Sequence, residues 1–482
     1  MVQPSIRFLS DETIDRVLDE AMSALEDPGV EVHSGRALHL LAEHGAQVDR
    51  EKKVARIPRT LVEQALKTAP PAFTLYDLEG HPRLELGGEN TYYYPGATSV
   101  YYLDPEDGRM REAVSADLIR FYKVAEQLPE IDAQVTAIIS SDVPKEISDS
   151  YRLYLLLKHT RKPFVTGGFS IEGQQVILDL VAAAVGGYEA LAQKPVTAQA
   201  ICPTPPLHWS EITCENLITC AERDVPVIFI SMPLAGGTGP ATLIGSIVQH
   251  TAETLSGVVI AQLVRPGARM LWGGSPAILD MRTGTTPMGA IETIMIDCAY
   301  NEVGKRLRLP THGYLGLTDS KVVDAQAGIE SALGLVLANL ARVNLVAGPG
   351  HMNFEISQSC EDLVIDHEIL GIARRLRRGI DDSEPSLGLE VIRQVGHAGN
   401  YLAIPHTRRT YRREQFMPRL FSRESLEAWQ QAGAKDIYQR AREYVRELEA
   451  SYTPRVPEET VRAVTEVMLG AARRYGLERL PA

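Results

Sequence analysis

The feature that most constrains this chain is a unit that recurs from residue 92 onward: a short β-rich run, a turn rich in Gly, Pro and Ser, then a long amphipathic helix. The runs are YYYPGA at 92–97, QVTAIISSD at 134–142, PFVTGG at 163–168, VTAQAIC at 196–202, PVIFISM at 226–232, RMLWGG at 269–274, PTHGYLG at 310–316 and VNLVAG at 343–348. Helical stretches such as ISDSYRLYLLLKHT and QAGIESALGLVLANLA separate them. Strands separated by helices pair in parallel with right-handed crossovers, and eight such units can close a sheet that leaves no edge. The expected fold is α/β, a (β/α)8 TIM barrel over residues 73–380. An open doubly wound sheet would show G-x-G-x-x-G after its first strand, and none stands there.

Two layers flank the repeat. Residues 1–72 read as an N-terminal helical layer: DETIDRVLDEAMSALEDPG opens behind Ser10 and Asp11 as caps, and Leu38, Leu41 and His44 recur at helical intervals. The stretch FTLYDLEGHPRLELGGENTYYYPGATSVYYLD suggests short antiparallel strands before the repeat. Residues 381–482 read as a C-terminal helical extension, irregular at first and helical from Ser425. It is long enough to pack on the barrel or against a second subunit of a homo-oligomer.

A hydrophobic content of 44% supplies a large core, and a net charge of −13 argues against a constitutive nucleic-acid binder. No apolar run reads as a secretion signal or membrane span, so the expected location is cytoplasmic, without a membrane partner. Cys202, Cys214, Cys220, Cys298 and Cys360 are odd in number, lack C-x-x-C spacing and read as reduced thiols.

In a barrel of this type the reactive groups come from the turns that follow the strands. Rings crowd there: Tyr92, Tyr93, Tyr94, Tyr101 and Tyr102 near the first strand, Trp272 on the sixth, Tyr314 on the seventh and Phe354 after the eighth. Each ring can equally be core. Together with a carboxylate such as Asp142 or Asp319, they suit a quaternary ammonium, which has no N–H and is held by cation–π and charge attraction. His351 in GPGHMNF is expected on an exposed irregular loop, a functional or structural histidine. The glycine-rich turn LAGGTGPAT, with Gly236, is either a phosphate cradle or a plain tight turn, and no P-loop Lys follows it. No His or Cys cluster has metal-ligand spacing and no G-x-S-x-G occurs, which disfavours hydrolysis by metal or serine. Lys321, in a polar turn, is a candidate for Schiff-base chemistry.

Several separated blocks carry a resemblance. TDSKVVDAQAGIESALGLVLANLARVNLVAGPGHMNFEISQSCEDLVIDHEILGIARR, MPLAGGTGPATLIGSIVQHTAETLSG, GNYLAIPHTRRTYRREQFMP and the N-terminal GVEVHSGRALHLLAEHGAQVD resemble the trimethylamine methyltransferase family over nearly the whole chain. The resemblance implies a TIM barrel that takes a methyl group from a methylated amine and passes it to the Co(I) corrinoid (cobalamin) carried by a small corrinoid-binding partner protein. Founding members hold pyrrolysine; this sequence has only the ordinary twenty residues and is similar to the non-pyrrolysine, glycine betaine methyltransferase-like branch. The turn Asp319-Ser320-Lys321 is the expected equivalent position.

In-line displacement needs a leaving group that departs neutral. A tertiary amine leaving a quaternary ammonium qualifies; an unactivated tertiary amine would have to leave as an anion. The expected substrate is therefore already quaternary and betaine-like, its carboxylate met by His351, a backbone amide or an Arg opposite the cage. The expected catalytic residues are His351, Asp319 and Glu330; the expected substrate-binding residues are Tyr94, Gly96, Asp142, Gly236, Trp272, Tyr314 and Phe354, with no metal bound by the chain itself. Rival readings are a lyase or aldolase using Lys321, a tetrahydrofolate-dependent methyltransferase, and a betaine-binding protein without catalysis.

Overall fold

Each of the eight β-rich runs contains a strand, and each strand is shorter than its run because the run continues into the turn that follows. The computed structural model describes residues 2–481, and its fold is α/β. The strands are β1 (Tyr92–Tyr94), β2 (Gln134–Val135), β3 (Phe164–Thr166), β4 (Thr197–Ile201), β5 (Val227–Phe229), β6 (Met270–Leu271), β7 (His312–Tyr314) and β8 (Leu345–Ala347). All pair in parallel, in two sheets: β2-β3-β4-β5-β6 and β7-β8-β1. The sheets meet at both edges. Trp272 bridges Thr311 between β6 and β7, while Ser99 bridges Ile138 and the Asp132 amide donates to Tyr93 O between β1 and β2.

The intervening helices are α1 (Ser115–Gln127), α2 (Ser148–Leu157), α3 (Ile171–Val185), α4 (Glu211–Glu222), α5 (Leu243–Val264), α6 (Ile291–Arg306), α7 (Ala325–Leu340) and α8 (Cys360–Arg377). Side-chain caps fix where several begin. Ser170, Ser210, Asp324 and Ser359 accept from the amides of Gly173, Thr213, Ala327 and Asp362, satisfying donors that the first turn leaves bare.

The N-terminal layer is not purely helical, which corrects the expectation for residues 1–72. Helices Asp11–Glu26 and Arg59–Thr68 cover the outside of α5, which explains why α5 is buried nearly all round. Between them, Val30–Val32, Gln47–Asp49 and Val54–Arg56 form a small sheet that gains His208–Trp209 as a fourth strand. Antiparallel pairs do precede and flank the repeat, Ala72–Tyr76 with Pro82–Gly87 and Tyr101–Leu103 with Met110–Glu112.

At the other end, Ile437–Ser451 packs on α1 and α8, and Glu458–Arg473 packs on α2 and α3. The stretch before them, expected to be irregular, contains the short helices Glu384–Leu387, Leu389–Val395 and Pro405–Glu414, none with a buried residue. All five cysteines are free thiols. No helix among the described residues is long and apolar enough to cross a membrane.

Candidate functional site

A cavity of about 390 Å³ lies at the C-terminal ends of the strands, where the β-rich runs turn into loops. Its chemistry comes from Arg152, Phe169, Cys202, Tyr314, Phe354 and Glu355.

Arg152 comes from α2, where every residue after Ser148 is buried because Glu458–Arg473 covers the helix from outside. A charge on such a helix has no route to solvent, so its head enters the interior. Nη1 donates to Thr98 Oγ1 (2.9 Å) and Thr136 O (3.0 Å), and Nη2 donates to Gly167 O (3.0 Å). These partners are all neutral, and the buried Nε has none. Burial pushes the guanidinium down to about 10. Its carbon lies 4.4 Å from the centre of the Phe169 ring.

Glu355 faces the cavity by way of an unusual backbone. Asn353, Phe354 and Glu355 are successive left-handed residues, with φ of 52°, 57° and 66°. Each such non-glycine residue costs about 1–3 kcal/mol and persists only where the surroundings hold it. Here the holding element is the antiparallel pair His351–Met352 with Ser357–Gln358, which forces the intervening residues into a tight loop. Ser275 Oγ donates to the Glu355 carboxylate at 3.2 Å. Burial pushes Glu355 up to about 7, with the Asp319 charge adding to the effect. Asp297, fully buried on α6, is likewise held well above the usual carboxylate range, first by burial and also by Glu355.

Of the residues expected from sequence, Tyr314 and Phe354 line this cavity. The rest stand elsewhere. Tyr94 is fully buried with its hydroxyl 2.7 Å from His312 Nε2. Trp272 points outward into the helix layer, its Nε1 donating to Tyr300 O at 3.0 Å. Asp142 is exposed and accepts from the Ser115 amide (2.9 Å) and hydroxyl (3.0 Å) at the start of α1. Gly236 is a turn residue with φ of 90°, and the amides of Gly237, Thr238 and Gly239 all donate to Leu234 O, so this turn spends its amides on itself and cradles no phosphate.

His351 is not exposed, contrary to expectation. It is completely buried and packs on Gly96, where an added Cβ would lie 2.2 Å from Nδ1. Burial pushes it down to about 4, so the ring is neutral at pH 7. Asp319 and Glu330 adjoin each other beside the cavity and shape the turn that follows β7. Asp319 accepts from the amides of Met288 (2.8 Å) and Gly289 (3.0 Å), and Glu330 accepts from Thr318 Oγ1 (2.6 Å) and the Asp319 amide (2.8 Å). Burial pushes Asp319 up to about 6, and the Glu330 charge adds to it. Lys321 donates to Asp319 O at 2.7 Å and caps the Phe354 ring at 3.8 Å.

Sequence reasoning did not single out Arg152 or Glu355. The signal for Arg152 was a lone charge among apolar neighbours in SDSYRLYLLL; for Glu355 it was a place in the turn after the eighth strand. Spacing also hid a group outside the lining of this cavity: pairing of Glu31 with His208 gathers Glu31, His33 and His208, with ligand-type atoms within 4.8 Å of one another.

The family profile described as "Trimethylamine methyltransferase (MTTB)" matches residues 2–474. The chain belongs to the trimethylamine methyltransferase family. This family member is 30% identical over 471 residues to "Trimethylamine methyltransferase MttB" of Desulfitobacterium hafniense (strain DSM 10664 / DCB-2), covering 98% of this chain and 95% of the relative. It is 30% identical over 455 residues to "Glycine betaine methyltransferase" of Desulfitobacterium hafniense (strain Y51), covering 94% of each. Among solved structures, it resembles the Methanosarcina barkeri monomethylamine methyltransferase (MtmB) with a TM-score of 0.54 at 11% identity, over 92% of this chain and 89% of that one, a likeness of fold.

Proposed function

We propose that this trimethylamine methyltransferase family member removes a methyl group from a quaternary, betaine-like amine and passes it to a corrinoid carried by a partner protein. We read the eight parallel strands as a closed (β/α)8 barrel over residues 73–380, with residues 1–72 and 381–482 as covering layers; the bridges at both sheet edges support that reading. The observation that carries the function is one half-buried carboxyl, Glu355, sharing a small cavity with the Tyr314 and Phe354 rings. Anion and rings together hold a cation that has no proton to donate. The resemblance to a glycine betaine methyltransferase supports a quaternary substrate, and trimethylamine methyltransferases are equally similar to this chain.

The chain's own part is to bind, orient and exclude water. The ionised form of Glu355 draws the ammonium inward, and the rings pack its methyl groups. No general acid is needed, because the amine departs neutral. The cavity rim carries exposed apolar side chains, Phe169 (48% exposed), Met232 (37%) and Ile356 (41%), a surface that suits the flat face of a macrocycle. A reduced corrinoid, when bound there, supplies the nucleophile for the methyl carbon.

Incubation of the protein with glycine betaine and reduced cobalamin should yield methylcobalamin, whereas trimethylamine should yield none. Glu355→Gln should lower kcat/KM roughly 100-fold, the usual effect of removing one preorganised electrostatic partner. No methylcobalamin from any quaternary amine, or an unchanged rate in Glu355→Gln, would overturn the proposal.

A further inference from the structure

The cavity holds a second charge that the cation-binding reading does not use. Arg152 is a completely buried guanidinium whose three bonded partners are a hydroxyl and two carbonyls. Four less buried arginines each reach a carboxylate: Arg120 has Glu361 and Glu449, Arg269 has Asp224, Arg342 has Glu89, and Arg374 has Glu130 and Asp132. Arg223, Arg377 and Arg440 bond neutral acceptors as Arg152 does, but they are half-buried and Arg152 is not. The buried Asp149 carboxylate acts on the Arg152 charge without bonding it, and a buried charge with no bonded counter-ion is costly, so a fold that keeps one has a use for it.

The arrangement of the spent and unspent donors of Arg152 is informative. A guanidinium grips a carboxylate in a fork, and one of its forks is the edge made by Nε–H and a neighbouring Nη–H. Arg120 shows the occupied version, with Nε on Glu449 Oε1 (2.9 Å) and Nη2 on Glu449 Oε2 (3.1 Å). In Arg152 the same edge has an unpartnered Nε and an Nη2 that spends one of its two protons on Gly167 O. The remaining donors number two, which is what one carboxylate requires. Arg152 also lines the cavity, so a ligand carboxylate held there lies beside this guanidinium.

We infer that Arg152 is the carboxylate anchor of this site, so that the substrate is a zwitterion with its carboxylate on the guanidinium and its quaternary nitrogen toward Glu355. The inference rests on the proposed binding of a quaternary amine and narrows it: choline-like or tetraalkylammonium compounds, which lack the anion, leave the Arg152 edge unpaired. That edge then discriminates by what it lacks when the wrong ligand binds.

Calorimetric titration of the full-length, unsubstituted protein tests this without corrinoid or turnover. The probes are glycine betaine, its methyl ester, tetramethylammonium, and 3,3-dimethylbutanoate, which keeps the shape and the carboxylate but carries carbon in place of the cationic nitrogen. Glycine betaine should bind roughly 10- to 100-fold more tightly than the ester or tetramethylammonium, the range expected for hydrogen bonds to a charged group. Arg152→Gln should erase that preference and abolish binding of 3,3-dimethylbutanoate, while tetramethylammonium still binds and does so more tightly, since a like charge has left the cavity.

Equal affinity of the unsubstituted protein for betaine and its ester overturns the anchor, and needs no variant to fold. So does an Arg152→Gln protein that keeps the preference. If the ester and tetramethylammonium bind and donate methyl groups as well as betaine does, the demethylase reading stands and the anchor falls. If 3,3-dimethylbutanoate binds through Arg152 and no quaternary amine binds, the anion site stands and the demethylase reading falls; if nothing binds, both fall.

Discussion

Two arginines sit on consecutive helices, the half-buried Arg120 on α1 and the buried Arg152 on α2, and the contrast between their surroundings separates what holds the fold from what acts on a ligand. Around Arg120 every donor edge is used: Glu449 takes Nε and Nη2, Tyr102 Oη takes Nη1 at 3.0 Å, and Glu361 lies at 3.4 Å from Nη2. Those partners come from three separate elements, so the guanidinium ties the C-terminal helix Ile437–Ser451 to α1 and α8. Around Arg152 the partners are neutral and one edge is bare. A saturated network fixes geometry; one with unspent donors beside a cavity can also take a ligand.

The largest expected effect follows from breaking the saturated side. Arg120→Met leaves Glu361 fully buried beside Tyr102 without its cation, and should destabilise the fold by about 3 kcal/mol, the lower end for a broken buried pair because Glu449 is partly exposed. Chemical denaturation measures it, and a loss below about 1 kcal/mol would mean that the seam is held by apolar packing alone. Arg152→Met should change the stability of the ligand-free protein by less than Arg120→Met does, since relief of the buried charge is offset by the loss of the donor to Thr136 O and Gly167 O.

A smaller effect sharpens the other pole of the cavity. Burial raises Glu355 to about 7 in the folded chain, above the ordinary carboxylate value near 4.5 that it regains on unfolding. The folded state therefore binds this proton more tightly. Its contribution to stability is complete at low pH and is lost as pH rises through about 7. Melting temperatures of the ligand-free protein and of Glu355→Gln, compared from pH 5 to pH 8, should diverge as pH rises, with the variant the more stable at pH 8. The gap should be on the order of 2 kcal/mol, after a discount for water entering the cavity. Tetramethylammonium needs the ionised carboxylate, so its Kd should fall across the same interval. A flat difference between the two proteins would show that Glu355 is ionised throughout.

The recurrence of strand, turn and helix was legible because it is a matter of period, and all eight strands lie inside the runs read from sequence. The direction in which a side chain points from a short strand was not. Trp272 and Tyr314 both lie at or beside strand ends, yet Trp272 sends its ring toward α6 and Tyr314 sends its ring into the cavity. Only the register and twist of neighbouring strands decide between these, and neither is written in a single run. His351 shows a different failure. The glycines of GPGHMNF read as exposing it, whereas glycine also lets two backbones approach: Gly96 receives the imidazole where any Cβ would collide with it. Arg152 was legible in principle, as a charge among apolar neighbours on a helix, and a search confined to the turns after the strands passed over it.

The smallest expected effect tests whether charge outside the cavity matters at all. Asp142 stands after β2, where a ligand-binding carboxylate was expected, but its oxygen accepts from the Ser115 amide and hydroxyl at the first turn of α1. That is a capping role, worth about 1 kcal/mol when the acceptor is removed. The side chain is exposed, so water screens its charge from any cation in the cavity. Asp142→Ala should therefore cost about 1 kcal/mol of stability and leave the Kd for glycine betaine within about twofold, whereas a ligand-contacting carboxylate would shift Kd far more than stability. A tenfold weaker Kd in a normally folded Asp142→Ala protein would mean that α1 and its cap close over the ligand. The division between a saturated frame and an unsaturated cavity would then have to be redrawn to include the start of that helix.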